Sequence, residues 1–235
     1  LVLLFLAINP DIVTGNVDLS SIVVSGSMRS GAQTATQTGS TGSSSCPDET
    51  AFKNNVISNG NVCLTNTCEA LTGCDTTTYS SIINSEATKQ GINPKLVTIL
   101  MCRESKGKVN ATHVNDSNSI DCGLMQINKT GASSCLPADL DPQTNIAKGV
   151  ALIKANYSSI TQGYPGITKE MMVSAAYNCC STGNPNTQSS DCTPSAGYPF
   201  TLPKWACPIR PGPTNTNMCF VRNYVCDVNA CLSKL

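Results

Sequence analysis

Apolar positions at helical spacing alternate along this chain with runs rich in Asn, Ser and Gly. The clearest periodic segment is INPKLVTILMCRESKG, residues 92–107. Asn93 offers a side-chain cap, and Pro94 sits at the first helical position, where its missing N–H costs nothing. Gly107 marks the exit. Val97, Leu100, Met101 and Glu104 recur at spacings of three and four, so they share one face. Upstream, Tyr79, Ile82, Ile83 and Ala87 predict a short amphipathic helix to Gln90, ended by Gly91. Downstream, Asp141-Pro142 starts a helix carrying Ile146, Val150, Ile153 and Tyr157 on one side. Thr168 caps another, through Met172, Ala175 and Ala176 to Asn178. The run VNATHVNDSNSI, residues 109–120, is rich in Asn, Asp and Ser and predicts loop or turn. In DCGLMQIN, residues 121–128, Gln126 and Asn128 alternate with Met125 and Ile127. That period of two aims both amides at one face, and it confines strand content to the neighbourhood of Asp121 to Asn128.

The N-terminal part has another texture. LVLLFLAI is followed by Asn9-Pro10, and the chain begins with Leu1 rather than Met. Eight apolar residues fall short of the roughly 20 needed to span a bilayer. Residues 1–24 therefore read as the end of a membrane anchor or signal segment, with a short buried strand or helix as the alternative. From Ser25 to Ser45, fifteen of twenty-one residues are Ser, Thr or Gly. Such a stretch buries too little apolar surface to offset its ordering entropy, so 25–45 reads as a flexible linker.

Composition narrows the function classes. Formal net charge is zero and charged residues make up 13% of 235, which leaves no basic stripe for nucleic acid and no cationic membrane patch. Fourteen cysteines without a CxxC pair, beside the single His113, point to a disulfide framework rather than a metal site. No cofactor or metal is expected. Disulfides persist in oxidising compartments, so the protein is expected outside the cytoplasm. Residues 46–78 read as a disulfide-rich cap of short irregular segments.

Candidate chemistry concentrates at Glu104. A carboxyl on an apolar helix face loses hydration, which favours its protonated form, the form a general acid needs. The competing reading is that the helix ends before Glu104, and Arg103 pairs with it in solvent. Gly123 permits close approach of backbone to a ligand. The amides of Gln126 and Asn128 suit sugars, which present many hydroxyl and acetamido groups. A glutamic acid facing an amide-lined groove is a parts list for glycosidic bond cleavage. His113, alone in an Asn-rich run, reads as a surface residue.

Three segments carry a family resemblance. RES at 103–105, DCGLMQIN at 121–128 and SAAYN at 174–178 resemble the landmarks of soluble lytic transglycosylase (SLT) domains and their lysozyme-like relatives. In style they are most similar to the transglycosylases that open peptidoglycan for type IV secretion systems and pili. The layout from Glu104 to Asn128 is also similar to animal C-type lysozymes, which carry an acidic residue at the place of Asp121. The likeness covers Ile92 to Asn178, and RNYVCDVNACL near the end resembles the family's closing helix. Departures are Cys122 for the tyrosine usual in lysozymes, Cys179 and Cys180 for small residues, and a Cys- and Pro-rich insertion over 181–217.

The resemblance implies an α+β, predominantly helical fold: a lysozyme-like domain over 79–235 with disulfide-rich additions and a cleft between its lobes. It implies peptidoglycan glycan strands as partner, with secretion-system or pilus components nearby; the cysteines and the N-terminal segment add the expectation of an extracytoplasmic, membrane-tethered location. It implies that Tyr177 and Asn178 reach the cleft and hold sugar beside Glu104. Gly123, Met125, Gln126 and Asn128 line the same cleft, and Ser105 either orients Glu104 or only ends its helix. Two mechanisms compete. A lytic transglycosylase uses Glu104 alone, whereas a lysozyme-type muramidase adds Asp121 and water. A non-catalytic glycan-binding surface or pilus module is the reading of a different class. All fourteen cysteines are expected in seven disulfides. Cys46, Cys63, Cys68 and Cys74 should pair within the cap. Cys102, Cys122, Cys135 and Cys179 should pair among themselves or with the insertion. Cys180, Cys192, Cys207, Cys219, Cys226 and Cys231 should tie the insertion to the closing helix.

Overall fold

The helix that carries Glu104 starts where its capping signal lies. In the computed structural model of the chain, Asn93 is extended and its side chain accepts from the Lys95 N–H, with Pro94 following. The helix ends at Lys106, which takes the left-handed conformation and returns its N–H to the Cys102 carbonyl. The described residues are 49–115, 118–178, 186, 188–207 and 216–235. The anchor segment, the linker, Cys46, Cys179, Cys180 and the Cys219 side chain lie outside them.

In chain order the elements are α1 (Glu49–Asn59), α2 (Ser80–Gln90), α3 (Pro94–Ser105), β1 (Thr112–Asn115), β2 (Ser119–Cys122), β3 (Ile127–Thr130), α4 (Pro137–Leu140), α5 (Pro142–Ser159), α6 (Lys169–Asn178) and α7 (Thr216–Leu232). The fold is α+β and mostly helical. The strands form one antiparallel sheet in the order β1-β2-β3. Helix caps follow the sequence signals. Gly91 closes α2 at φ 66°, Asp141 accepts from Thr144 N–H at the start of α5, and Thr168 Oγ1 accepts from Met171 N–H at 3.2 Å. Among the described residues, no helix is long and apolar enough to cross a membrane.

α3 runs through the middle of the main core. Leu96, Val97, Ile99, Leu100 and Met101 are fully buried against Leu124 and Met125 of the turn after β2, Ile146 and Val150 of α5, and Tyr224 and Val228 of α7. A second core lies at the other side of α6 and α7. There Phe52 and Val56 of α1 meet Met172, Trp205, Leu202 and Val225. The cap and the insertion therefore share buried surface with α6 and α7, and the only tryptophan anchors that junction.

Three expectations are corrected. The cap holds an 11-residue helix, α1, because Phe52 and Val56, one turn apart, gain a core to enter. The Asn-rich run 109–120 is not only loop. It supplies β1 and the start of β2, since pairing with β2 satisfies backbone groups that local propensity would have left to turns. The cysteines of the cap do not pair with each other. Cys63 joins Cys226, Cys68 joins Cys231 and Cys74 joins Cys102, so the cap is bolted to α7 and α3. Cys122–Cys135 stays within the domain, as expected, and Cys192–Cys207 closes within the insertion rather than reaching α7.

Candidate active site

Glu104 lies in the last turn of α3, half-buried, with the helix continuing through Ser105. Its Oε1 accepts a hydrogen bond of 2.7 Å from the hydroxyl of Tyr224 on α7. Arg103 turns toward α7, with its guanidinium carbon 5.4 Å from the centroid of the Tyr224 ring and its Nε 3.5 Å from Asp227 Oδ2. Tyr224 was not singled out from the sequence. It lies 120 positions from Glu104 inside a helix whose pattern reads only as apolar, and nothing local marks a phenol as the partner of a distant carboxylate. Ser105 is buried. Its hydroxyl donates to the Met101 carbonyl and accepts from the Gly107 N–H, so it closes the helix end.

The segment DCGLMQIN is a strand end, a turn and a strand. Gly123 has φ 73°, and a Cβ there would lie 2.6 Å from the Asn145 Nδ2. The close approach that requires glycine is thus to Asn145 of α5. That side chain accepts from Met125 N–H at 2.7 Å and donates to the carbonyls of Cys122 and Asp139, each at 2.8 Å. Asn145 is the buried pin of the turn, and sequence reasoning missed it because it sits among ordinary helical residues. Met125 is fully buried and packs where Gly149 of α5 leaves room. Gln126 has φ 48° and belongs to the turn, not to β3. Its amide nitrogen donates to the carbonyls of Ala111 and Gly123, tying the turn to the entry of β1. The expected alternation of Gln126 with Asn128 on one strand face therefore fails at Gln126.

The register sets His113, Asp121 and Asn128 in one row across the three strands. Asp121 is 1% exposed, and its Oδ1 accepts from Asn128 Nδ2 at 2.8 Å. His113 lies exposed on the outer strand β1. Tyr177 and Asn178 end α6, both half-buried, and the Tyr177 hydroxyl donates to the Met125 carbonyl at 2.8 Å. The three quoted landmarks are thereby brought together in part: Tyr177 holds the turn of DCGLMQIN directly, while Glu104 is held by α7.

The profile of the transglycosylase SLT domain matches residues 81–193. The chain carries an SLT domain. The match begins in the first turn of α2, runs through α6 and ends at Thr193, so α1, most of the insertion and α7 lie beyond it. Comparison with curated proteins and with solved structures gave no match. The SLT domain supports glycan-cleaving activity of the lytic-transglycosylase type on peptidoglycan, and SLT domains act outside the cytoplasm. The partner of Glu104, Tyr224, comes from outside the matched segment. Among the described residues, one group of metal-ligand type, Cys68, Asp227 and Cys231, lies where the cap meets α7. Its two sulfurs are bonded to each other, which removes the thiolates a metal would take.

Proposed function

We propose that the protein is a lytic transglycosylase that cleaves the β-1,4 bond between N-acetylmuramic acid and N-acetylglucosamine, with Glu104 as its single acid and base. Glu104 gives its proton to the glycosidic oxygen as the bond from the muramoyl C1 breaks. The carboxylate then takes the proton of the muramoyl 6-hydroxyl while that oxygen bonds to C1. The products are an anhydro-muramoyl end and a free N-acetylglucosamine 4-hydroxyl, and no water is consumed.

The observation that carries this reading is the contrast between the two carboxylates. Glu104 is half-buried and hydrogen-bonded by Tyr224, whereas Asp121 is 1% exposed and bonded to Asn128 within the sheet. A nucleophile must reach the anomeric carbon, and a carboxylate enclosed in the sheet is poorly placed for that. Asp121 instead orders the polar face of the sheet beside the cleft. Tyr177 and Asn178 hold sugar from the end of α6, and Gly123, Met125 and Gln126 shape the turn beneath it. Residues 1–24 and the linker 25–45 tether the domain to the membrane, where it opens peptidoglycan for a secretion or pilus assembly.

The test is Glu104→Gln. The amide keeps the shape and cannot deliver a proton. Turnover should vanish while the fold and glycan binding persist, and near-normal turnover would remove Glu104 from the mechanism.

A further inference from the structure

We infer that Arg103 and Asp227 form a positioning pair through which the disulfide-bolted cap holds Tyr224 on Glu104; this rests on Glu104 being the acid and base. Tyr224 and Asp227 are three residues apart on α7 and so share a face. Arg103 is in the last turn of α3, which packs against α7, and Lys106 is the left-handed cap of that helix. Asp227, 7% exposed, accepts the backbone N–H groups of Glu69 and Ala70 at 2.6 and 3.0 Å through Oδ1. Lys106 donates to the carbonyls of the same two residues, each at 2.9 Å. One dipeptide of the cap is thus gripped by α7 on its donor side and by α3 on its acceptor side. Cys68–Cys231 anchors the residue before this dipeptide, and Cys63–Cys226 and Cys74–Cys102 bracket it.

The chain of contacts continues toward Glu104. With Oδ1 of Asp227 committed to the cap, its Oδ2 faces Arg103 Nε at 3.5 Å, a charge contact without hydrogen-bond alignment. Arg103 then lies with its guanidinium carbon 5.4 Å from the Tyr224 ring centroid, within cation–π range. The ring is held by that cation while its hydroxyl donates to Glu104. Guanidinium stays charged at any working pH, so the hold does not depend on Arg103 titrating. The other charges of the cluster are Lys106 and Glu69. Burial first, and the charge of Arg103 second, lower the Lys106 pKa, while Asp227 and Glu69 act the other way. Arg103 is next to Glu104 in sequence yet does not pair with it. Its role is to place Tyr224, and Tyr224 in turn fixes the direction in which Glu104 gives and takes its proton.

The test compares Arg103→Met, Asp227→Asn and Tyr224→Phe, singly and with each of the first two placed on Tyr224→Phe. Soluble peptidoglycan glycan oligomers serve as substrate, and Glu104→Gln is assayed beside them. Arg103→Met keeps the packing of the stem, and Asp227→Asn keeps an oxygen for the Glu69 and Ala70 N–H groups. Each should lower kcat about tenfold with KM within about twofold, as expected when geometry rather than binding is lost. Neither should lower kcat further once Tyr224 is Phe, because the group they position is gone. The same fall in the Tyr224→Phe background, a wild-type kcat, or a rise in KM instead would overturn the inference. If Arg103→Met does not fold, Asp227→Asn decides by the same criteria. Turnover by Glu104→Gln would instead sink the acid–base reading on which the inference stands.

Discussion

Among the described residues two bridges join the cap to α7, and removing one should cost about a third of removing both. Cys63–Cys226 and Cys68–Cys231 each span 163 positions, and they run side by side. In the chain-entropy account, whichever bridge closes the long loop is worth about 5 kcal/mol at 25 °C. With that one in place, the second closes a ring of only about ten residues, five positions on each segment, and is worth about 2.7 kcal/mol. Losing either bridge alone should therefore cost about 2.7 kcal/mol, because the survivor still closes the long loop. Losing both should cost about 8 kcal/mol, some 2.5 more than the sum of the two single losses. That is comparable to the whole stability of an ordinary domain, so the variant lacking both should sit at the edge of folding. The variants are Cys63→Ala with Cys226→Ala, Cys68→Ala with Cys231→Ala, and all four together. Guanidinium unfolding without reductant, followed by the fluorescence of the buried Trp205, measures each loss. Additive losses, or a loss of about 5 kcal/mol from a single bridge, would refute the parallel-staple reasoning.

Other outcomes follow from particular contacts. Gly123→Ala forces a side chain into left-handed backbone and against Asn145, so with about 1–2 kcal/mol for the backbone and about 1 for each of the two Asn145 bonds to Met125 and Cys122 it should lose about 3–4 kcal/mol; a loss below about 1 kcal/mol in denaturant would show that the turn yields easily. Burial pushes the Asp139 carboxyl up, but donation from Lys129, the Leu136 N–H and the charges of Lys129 and Lys148 outweigh it and hold the pKa below 3.8. A depressed folded value contributes stability above the unfolded pKa that is lost as pH falls through the folded one, so Asp139→Asn should flatten the wild-type decline in stability below about pH 4; an unchanged acid limb of the unfolding curve would count against it. Asp121→Asn should retain substantial turnover and the same product ends, and a loss as deep as that of Glu104→Gln, with reducing ends from the wild type, would favour the two-carboxylate route.

What could be read from the sequence was what local physics writes there. Asn93-Pro94 and Asp141-Pro142 announce helix starts because a cap and a proline act within one turn, and both helices begin where expected. Glu104 stood out because three apolar neighbours at helical spacing put it on a face. Contacts between distant segments left no such trace. The cap cysteines pair across most of the chain, and with fourteen cysteines the spacing alone does not choose among partners. Gly123 on sequence alone suggests room for a ligand, but the room belongs to Asn145, which a helical pattern of Asn and Ile does not reveal. Gln126 looked like a strand position because periodicity is blind to a left-handed turn residue. Tyr224 was invisible for the same reason as the bridges, since its meaning lies entirely in what α7 packs against.

The central claim is that Glu104 cleaves the glycan without water. It is tested most directly by digesting peptidoglycan with the purified protein in heavy-oxygen water and weighing the muramoyl ends by mass spectrometry. Transglycosylation predicts anhydro-muramoyl ends, one water lighter than reducing ends and free of heavy oxygen. Reducing ends carrying heavy oxygen, lost in both Glu104→Gln and Asp121→Asn, would contradict it.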